Sequence, residues 1–387
     1  MTASAELTEK QRRRGMIAAI AGVSVFAACL GHSLPFFAVR LTHLGAGDAF
    51  IGFNVALSAA AGLLLTPFLP GVIGRIGIRL SLAIAFAVTL AGYAVAYASG
   101  ETFLLWHVAR LLIGAGATAI FVASELWINL VARPERRGAA IGMYATFLAA
   151  GFAAGPFALE FTGYSGAVPF MAGAAFLLLA GPAMFAARPP AFSAEERTVS
   201  LGEITRRAPT IFLAMAVFSL AEAALMSLAP VYGLRIGLQE AAAGRIVLSY
   251  AIGSLALQYL IGRTVDRFSA RRVLFSCAAA GLAGALLLPL AAPNPLVLYP
   301  LVFVWGGAIV GIATCVLTYA GSRFTGKELA AANSGIAFAY NGGALVGPAL
   351  AGSLMDVAGP EALSLSLAGS FLLLLGFLGA AGRKGAA

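Results

Sequence analysis

Twelve stretches of this chain are long and apolar enough to cross a bilayer as helices, and almost no charge interrupts them. They run over residues 16–39, 49–73, 79–98, 102–130, 138–160 and 166–187, then 209–234, 242–262, 272–292, 295–321, 329–355 and 361–382. A spanning helix needs about 20 such residues at 1.5 Å rise each, and every stretch meets that. None alternates apolar and polar residues as a membrane strand would, so helices are expected and a barrel is not. Of the 387 residues 60% are hydrophobic and only 11% charged, too few to solvate the surface of a soluble domain. The expected fold class is an all-α membrane protein of twelve transmembrane helices.

The charges that remain are ordered. Twenty-one of the 25 Lys and Arg fall before the first stretch, after the last, or in alternate loops between them. The opposite side has only Arg40, Arg235 and Arg245, and Arg110 lies deep within a span. Positive charge collects on the cytosolic side of membrane proteins, so both termini are expected there. The net charge of +9 is therefore a topology signal rather than a nucleic-acid-binding face, for which no basic patch or fold motif exists. Lys10 and Arg12 to Arg14 precede the first apolar run like the start of a signal peptide. That run is too long for one and lacks a clear cleavage site, so it reads as a retained first span.

Cys29, Cys277 and Cys315 all sit inside apolar runs and read as small buried hydrophobes, not as a disulfide or metal framework. His32, His43 and His107 are scattered, and no metal or other cofactor is expected. Residues 188–208 are polar, contain two prolines, and separate the sixth span from the seventh. They read as a cytosolic linker, with a short amphipathic helix in its second part. The expected organisation is a six-helix bundle over 1–187, this linker, and a second bundle over 209–387.

The two bundles repeat each other at an offset near 192 residues. The loop Gly71-Val-Ile-Gly-Arg75-Ile-Gly77-Ile-Arg79 aligns with Gly262-Arg-Thr-Val-Asp266-Arg267-Phe-Ser-Ala-Arg271-Arg272. Gly151-Phe-Ala-Ala-Gly155-Pro156 in span five aligns with Gly343-Ala-Leu-Val-Gly347-Pro348 in span eleven. Pro35 to Arg40 resembles Pro230 to Arg235 at a slightly larger offset. A six-helix unit repeated in one orientation is a transporter layout, with the substrate site between the repeats near mid-membrane.

These motifs carry a resemblance over essentially the whole chain. The G-x-x-x-D-R-x-G-R-R/K loop, the Arg110-x-x-x-Gly114-x-Gly116 pattern of span four and the Gly-x-x-x-Gly-Pro signature of span five resemble the major facilitator superfamily. The stretch Arg110 to Asn129, and that from Leu228 to Arg267, are similar to the bacterial YcaD-like transporters. The resemblance implies alternating access by rocking halves, and the span-five signature implies antiport and export. In the first loop Gly74 stands where an acidic residue is expected, so a symmetric Asp–Arg latch is not implied. The Gly-Pro signatures imply close helix approach and a bend.

Ionisable residues within spans are costly, about 2.5–3.5 kcal/mol for a central Arg on insertion scales, and so point to function. Arg110 lies roughly 13 Å into span four and reads as a cationic group facing the central cavity, with an interhelical ion pair as the alternative. Glu222, near mid-depth in span seven with no cation nearby on its own helix, is the first choice for binding and releasing a proton, with a structural hydrogen-bonding role as the alternative. Glu125 lies ~22 Å beyond Arg110 on span four and reads as a gate or structural residue paired with Arg75 or Arg136. Asn129 shares its face, and Trp127 is expected at the membrane interface as an anchor. Asn54, Tyr144, Gln258, Tyr340 and Asn341 are polar cavity candidates, although such residues more often join helices. His32, near the outer end of span one, is a weaker titratable candidate.

Two soluble-enzyme motifs occur by accident. Gly114-Ala-Gly-Ala-Thr-Ala119 imitates a dinucleotide fingerprint, and Gly321 to Lys327 a phosphate loop that continues with Glu328 where Ser or Thr is needed. Neither follows a strand. The leading expectation is proton-coupled export of a small, partly hydrophobic organic molecule across a bacterial inner membrane by a monomer. Uptake or facilitated diffusion of a metabolite is the second. A polytopic enzyme or sensor is the third, and it lacks a convergent catalytic set or a soluble sensing domain.

Overall fold

The computed structural model describes residues 7–133, 137–190, 201–324 and 326–384, and their regular structure is helical throughout. Fourteen helices follow one another in these residues: α1 (Glu9–His43), α2 (Asp48–Leu65), α3 (Leu69–Ile76), α4 (Ile78–Ala98), α5 (Phe103–Val131), α6 (Arg137–Thr162), α7 (Val168–Phe185), α8 (Leu201–Arg207), α9 (Pro209–Arg235), α10 (Glu240–Arg267), α11 (Ala270–Ala291), α12 (Pro295–Arg323), α13 (Gly326–Ala358) and α14 (Ala362–Lys384). Eleven are long and apolar enough to cross a membrane. A twelfth, α13, is 33 residues long, but its glycines together with Asn333, Asn341 and Asp356 lower its hydropathy. Only α3 and α8 are short, and α8 falls in the second part of the expected linker. Residues 191–200 of that linker, and Arg136, lie outside the described residues.

The second expected span is not one helix. Thr66, Pro67 and Phe68 form a turn between α2 and α3. Pro67 has no N–H for the helical ladder and disfavours helical geometry in the residue before it, and Pro70 then opens α3. Hydropathy could not separate the two because the turn is itself apolar. Gly77, at φ +83°, ends α3 in a left-handed turn that a side chain would strain and reverses the chain into α4.

The chain divides into two compact units, Met1–Ser33 with Leu64–Glu195 and Leu34–Leu63 with Glu196–Ala387. Helix α1 contributes to both, and α2 belongs to the second. In the first unit α6 lies on α1 backbone to backbone. A Cβ on Gly151 would strike the Ser24 carbonyl, and one on Gly155 would strike the His32 backbone nitrogen. In the second unit α13 lies on α9 in the same way: Gly343 meets the Ala216 carbonyl and Gly347 the Leu220 carbonyl. Ser24 and Ala216 are 192 residues apart, as are Gly151 and Gly343, so the sequence repeat is also a repeat of tertiary contact. In apolar surroundings such contact, rather than hydrophobic exclusion, joins helices.

Candidate functional site

The α9–α13 contact places the pair that stands out chemically. Because Gly343 has no side chain, Ser219 of α9 comes close enough to donate its hydroxyl to the Tyr340 carbonyl at 2.6 Å. Three residues along α9, on the same face, Glu222 then meets the other end of Tyr340, whose phenol donates to its Oε2 at 2.9 Å. Phe218 packs its ring 6.1 Å from that of Tyr340. Tyr250 of α10 is near enough to interact electrostatically with both Glu222 and Tyr340. Its hydroxyl is buried against the Ser254 side chain, whose own hydroxyl donates to the Gly306 carbonyl at 3.1 Å. Glu222 is half-buried and Tyr340 37% exposed, and among the described residues no cationic side chain pairs with Glu222. Asn341 donates to the Ala337 carbonyl of its own helix at 2.9 Å, and Gln258 is half-buried on α10.

The first unit holds a different cluster. Arg110 is 1% exposed on α5 and lies within electrostatic range of Tyr93. The Tyr93 phenol donates to the Cys29 carbonyl at 3.0 Å and receives the Cys29 thiol at 3.2 Å, with its ring lodged against Gly173. His32 is fully buried, its ring edge-on to Phe176 at 6.1 Å. Arg110 and His32 are thus sealed into helix packing. Farther along α5, Glu125 is exposed, and Asn129 donates to its carbonyl at 2.9 Å. Ser124 and Tyr144 share a hydrogen bond of 3.2 Å beside it. Trp127 is not the expected interfacial anchor: it is 0% exposed, with its indole nitrogen facing Gly15, which leaves room for it.

At the far end of α1, in the second unit, charged residues interlock. Asp356 of α13 accepts the backbone N–H of Asp48 at 2.8 Å and of Ala49 at 2.9 Å, capping the positive end of α2. The Asp48 side chain pairs with Arg235 at 3.4 Å, and Glu240, 192 residues from Asp48, pairs with His43 at 3.4 Å. Each repeat therefore offers an acid at a helix start to a base of the other. Asn54 is fully buried on α2, and two residues earlier Gly52 presses against the Pro348 carbonyl and Gly352.

The repeated loop signatures are placed asymmetrically. Gly71, Arg75 and Arg79 are exposed, and Arg79 lies over the Phe185 ring at 5.9 Å. Half-buried Gly262 is followed by Asp266 and Arg267, which are exposed and form no ion pair among the described residues, while Arg271 donates to the Leu378 carbonyl at 2.8 Å. Pro156 and Pro348 lie inside α6 and α13. No cluster of His, Cys, Asp or Glu among the described residues has the makings of a metal site.

The sequence names Glu222 and Tyr340 as separate candidates and does not pair them. Tyr250, Tyr93, Asp48 and Asp356 were missed. The one available signal was the acid that opens both α2 and α10 at the repeat offset.

Known proteins bear on this geometry. The profile of the Major Facilitator Superfamily matches residues 19–245 and, again, 211–384. The chain is similar to YfkF of Bacillus subtilis (strain 168), described as an uncharacterised MFS-type transporter, with 25% identity over 344 residues covering 86% of this chain and 87% of that one. Its fold is similar to that of the nucleoside transporter NupG. A variant of NupG superposes with TM-score 0.78 at 14% identity, covering 94% of this chain and 99% of that one. A second NupG structure gives 0.75 at 13%, covering 96% and 98%.

Proposed function

The chain belongs to the Major Facilitator Superfamily, and from that premise we propose that this small-solute transporter couples export of its cargo to proton entry through Glu222. The observation that carries the reading is the Tyr340–Glu222 hydrogen bond on paired spans, with no cation on the carboxylate among the described residues. A carboxylate so placed has two acceptable forms. Protonated, it is tolerated by apolar surroundings; ionised, it must be solvated, hydrogen-bonded or paired. A group that exchanges those forms as access alternates moves one proton per cycle. Tyr340 supports the exchange by offering its phenol to the ionised form.

The moving parts in this reading are the halves 1–187 and 209–387, joined by the linker 188–208. They rock in a bacterial inner membrane with both termini in the cytosol, and the protein works as a monomer. Arg110, Glu125, Asn54, His32 and Asn341 support the first-choice residue: Arg110 and His32 by fixing helix packing, Glu125 by gating one end of α5. Export rather than uptake follows from the Gly151-x-x-x-Gly155-Pro156 signature, which the superfamily resemblance ties to antiport. Among superfamily branches, the Arg110 to Asn129 stretch favours the YcaD-like one. Likeness to a nucleoside transporter carries the fold and leaves the cargo open. Reconstituted protein exposed to a compound panel under an imposed pH gradient tests the reading: cargo movement should follow the gradient and lose that dependence in Glu222→Gln.

A further inference from the structure

We propose that Glu222, Tyr340, Phe218 and Tyr250 together form the seat of an organic cation, a protonated or quaternary amine with an apolar substituent. The proposal rests on reading Glu222 as the coupling residue and names the class of cargo that the carboxylate meets.

Three observations converge on a positive ligand. The Glu222 carboxylate is met by a phenol and, among the described residues, by no Lys, Arg or His, so its counter-charge is not supplied by the chain. It is only half-buried although it lies on a membrane-spanning helix, and such side chains turn to the bundle interior or to water rather than to lipid. Its neighbours are aromatic, with the Phe218 ring 6.1 Å from that of Tyr340 and Tyr250 within electrostatic range of the carboxylate. Aromatic faces attract ammonium groups, and several around one carboxylate are the means by which quaternary amines are held.

The alternatives fit less well. A neutral polar solute would leave the Glu222 carboxylate without a counter-charge, and the Ser219 hydroxyl and one N–H of Asn341 already donate to the Tyr340 and Ala337 carbonyls. An anion would meet the charge of Glu222, and Arg110 is 1% exposed and packed with Tyr93. A cation and a proton, in contrast, compete for one carboxylate. When the ammonium arrives, the acid releases its proton to water and the carboxylate pairs with the cation. Charge balances at one proton per monovalent cation, with no covalent step.

The test uses the full-length protein in lipid nanodiscs with benzyltrimethylammonium, whose charge is independent of pH, and neopentylbenzene, its uncharged isostere. Saturable binding of the cation is expected, releasing about one proton per cation and weakening about tenfold per pH unit on the acid side. Glu222→Gln should lose at least about tenfold in affinity and all proton release, Glu222→Asp should retain part of both, and Tyr340→Phe should weaken binding by several-fold. Equal binding of neopentylbenzene at the same site, or wild-type affinity in a folded Glu222→Gln, overturns the proposal. Absent cation binding alongside Glu222-dependent proton movement driven by a neutral or anionic solute overturns the cargo class and leaves the coupling reading standing. Glu222-dependent cation binding without proton release supports the cation seat and removes the coupling reading instead.

Discussion

The Asp356 carboxylate holds the backbone N–H of Asp48, and that of the following residue, at the first turn of α2 (2.8 and 2.9 Å). Residues more than 300 positions apart are thereby joined through a helix cap whose charge also suits the helix dipole. Asp356→Ala should lower stability by about 1–2 kcal/mol, and Asp356→Asn by less because it keeps one acceptor. Thermal unfolding in detergent reads this as a fall of about 2–4 °C per kcal/mol for a unit of this size. An unchanged midpoint in Asp356→Ala would remove the cap from the account.

The two ion pairs near that cap should not matter equally. Asp48 is 3% exposed in its side chain whereas Arg235, His43 and Glu240 are more open at 42%, 29% and 42%. Arg235→Gln leaves a buried carboxylate without its charge partner, at a cost of about 1–3 kcal/mol. Glu240→Gln breaks a more exposed pair and should cost about 0–1 kcal/mol. A denaturation series on both variants and on Asp48→Asn/Arg235→Gln distinguishes them. The double variant should recover part of the Arg235→Gln loss, and a larger effect from Glu240→Gln would reverse the order.

Neighbouring glycines on α13 give a sharp contrast. A methyl on Gly343 meets the Ala216 carbonyl and Ser219, so Gly343→Ala must push α9 and α13 apart, at about 1–3 kcal/mol, and draw Tyr340 away from Glu222. Gly342 has open space where its Cβ would be, so Gly342→Ala should fold and transport like the wild type. Gly151→Ala and Gly142→Ala should behave in the same paired way in the first unit. Purified yield and transport rate measure both contrasts, and equal behaviour of Gly342→Ala and Gly343→Ala would contradict the close-approach argument.

Much of the architecture was legible in sequence because a bilayer imposes length and apolarity on each element, and the repeat at 192 residues marked the Gly151 and Gly343 contacts in advance. The facing of each helix was not legible. A span apolar around its circumference has no stripe to say which side meets protein, so Trp127 read as an anchor although it is buried. Pro67 was hidden because the turn it makes is as apolar as the helices beside it. Glu222 was legible because a carboxylate in a span is expensive. Tyr250 and Tyr93 were not, since a tyrosine costs little and only packing brings it to Glu222 or Arg110.

Tyr340→Phe isolates the phenol from the ring. The ring contact with Phe218 survives, but one hydrogen bond to the carboxylate is lost, worth about 1.5–3 kcal/mol when the acceptor is charged. Transport should fall by roughly tenfold or more while protein yield stays near wild type. A yield loss as large as the transport loss would mark Tyr340 as structural.

The central claim is that Glu222 couples solute movement to the proton gradient. Proteoliposomes containing a trapped pH-sensitive dye, challenged with a panel of amines, nucleosides, sugars and amino acids, test it directly. The account expects at least one compound to move protons in wild-type vesicles and to lose that effect entirely in Glu222→Gln. Transport that ignores an imposed pH gradient, or wild-type proton movement in Glu222→Gln, would contradict it.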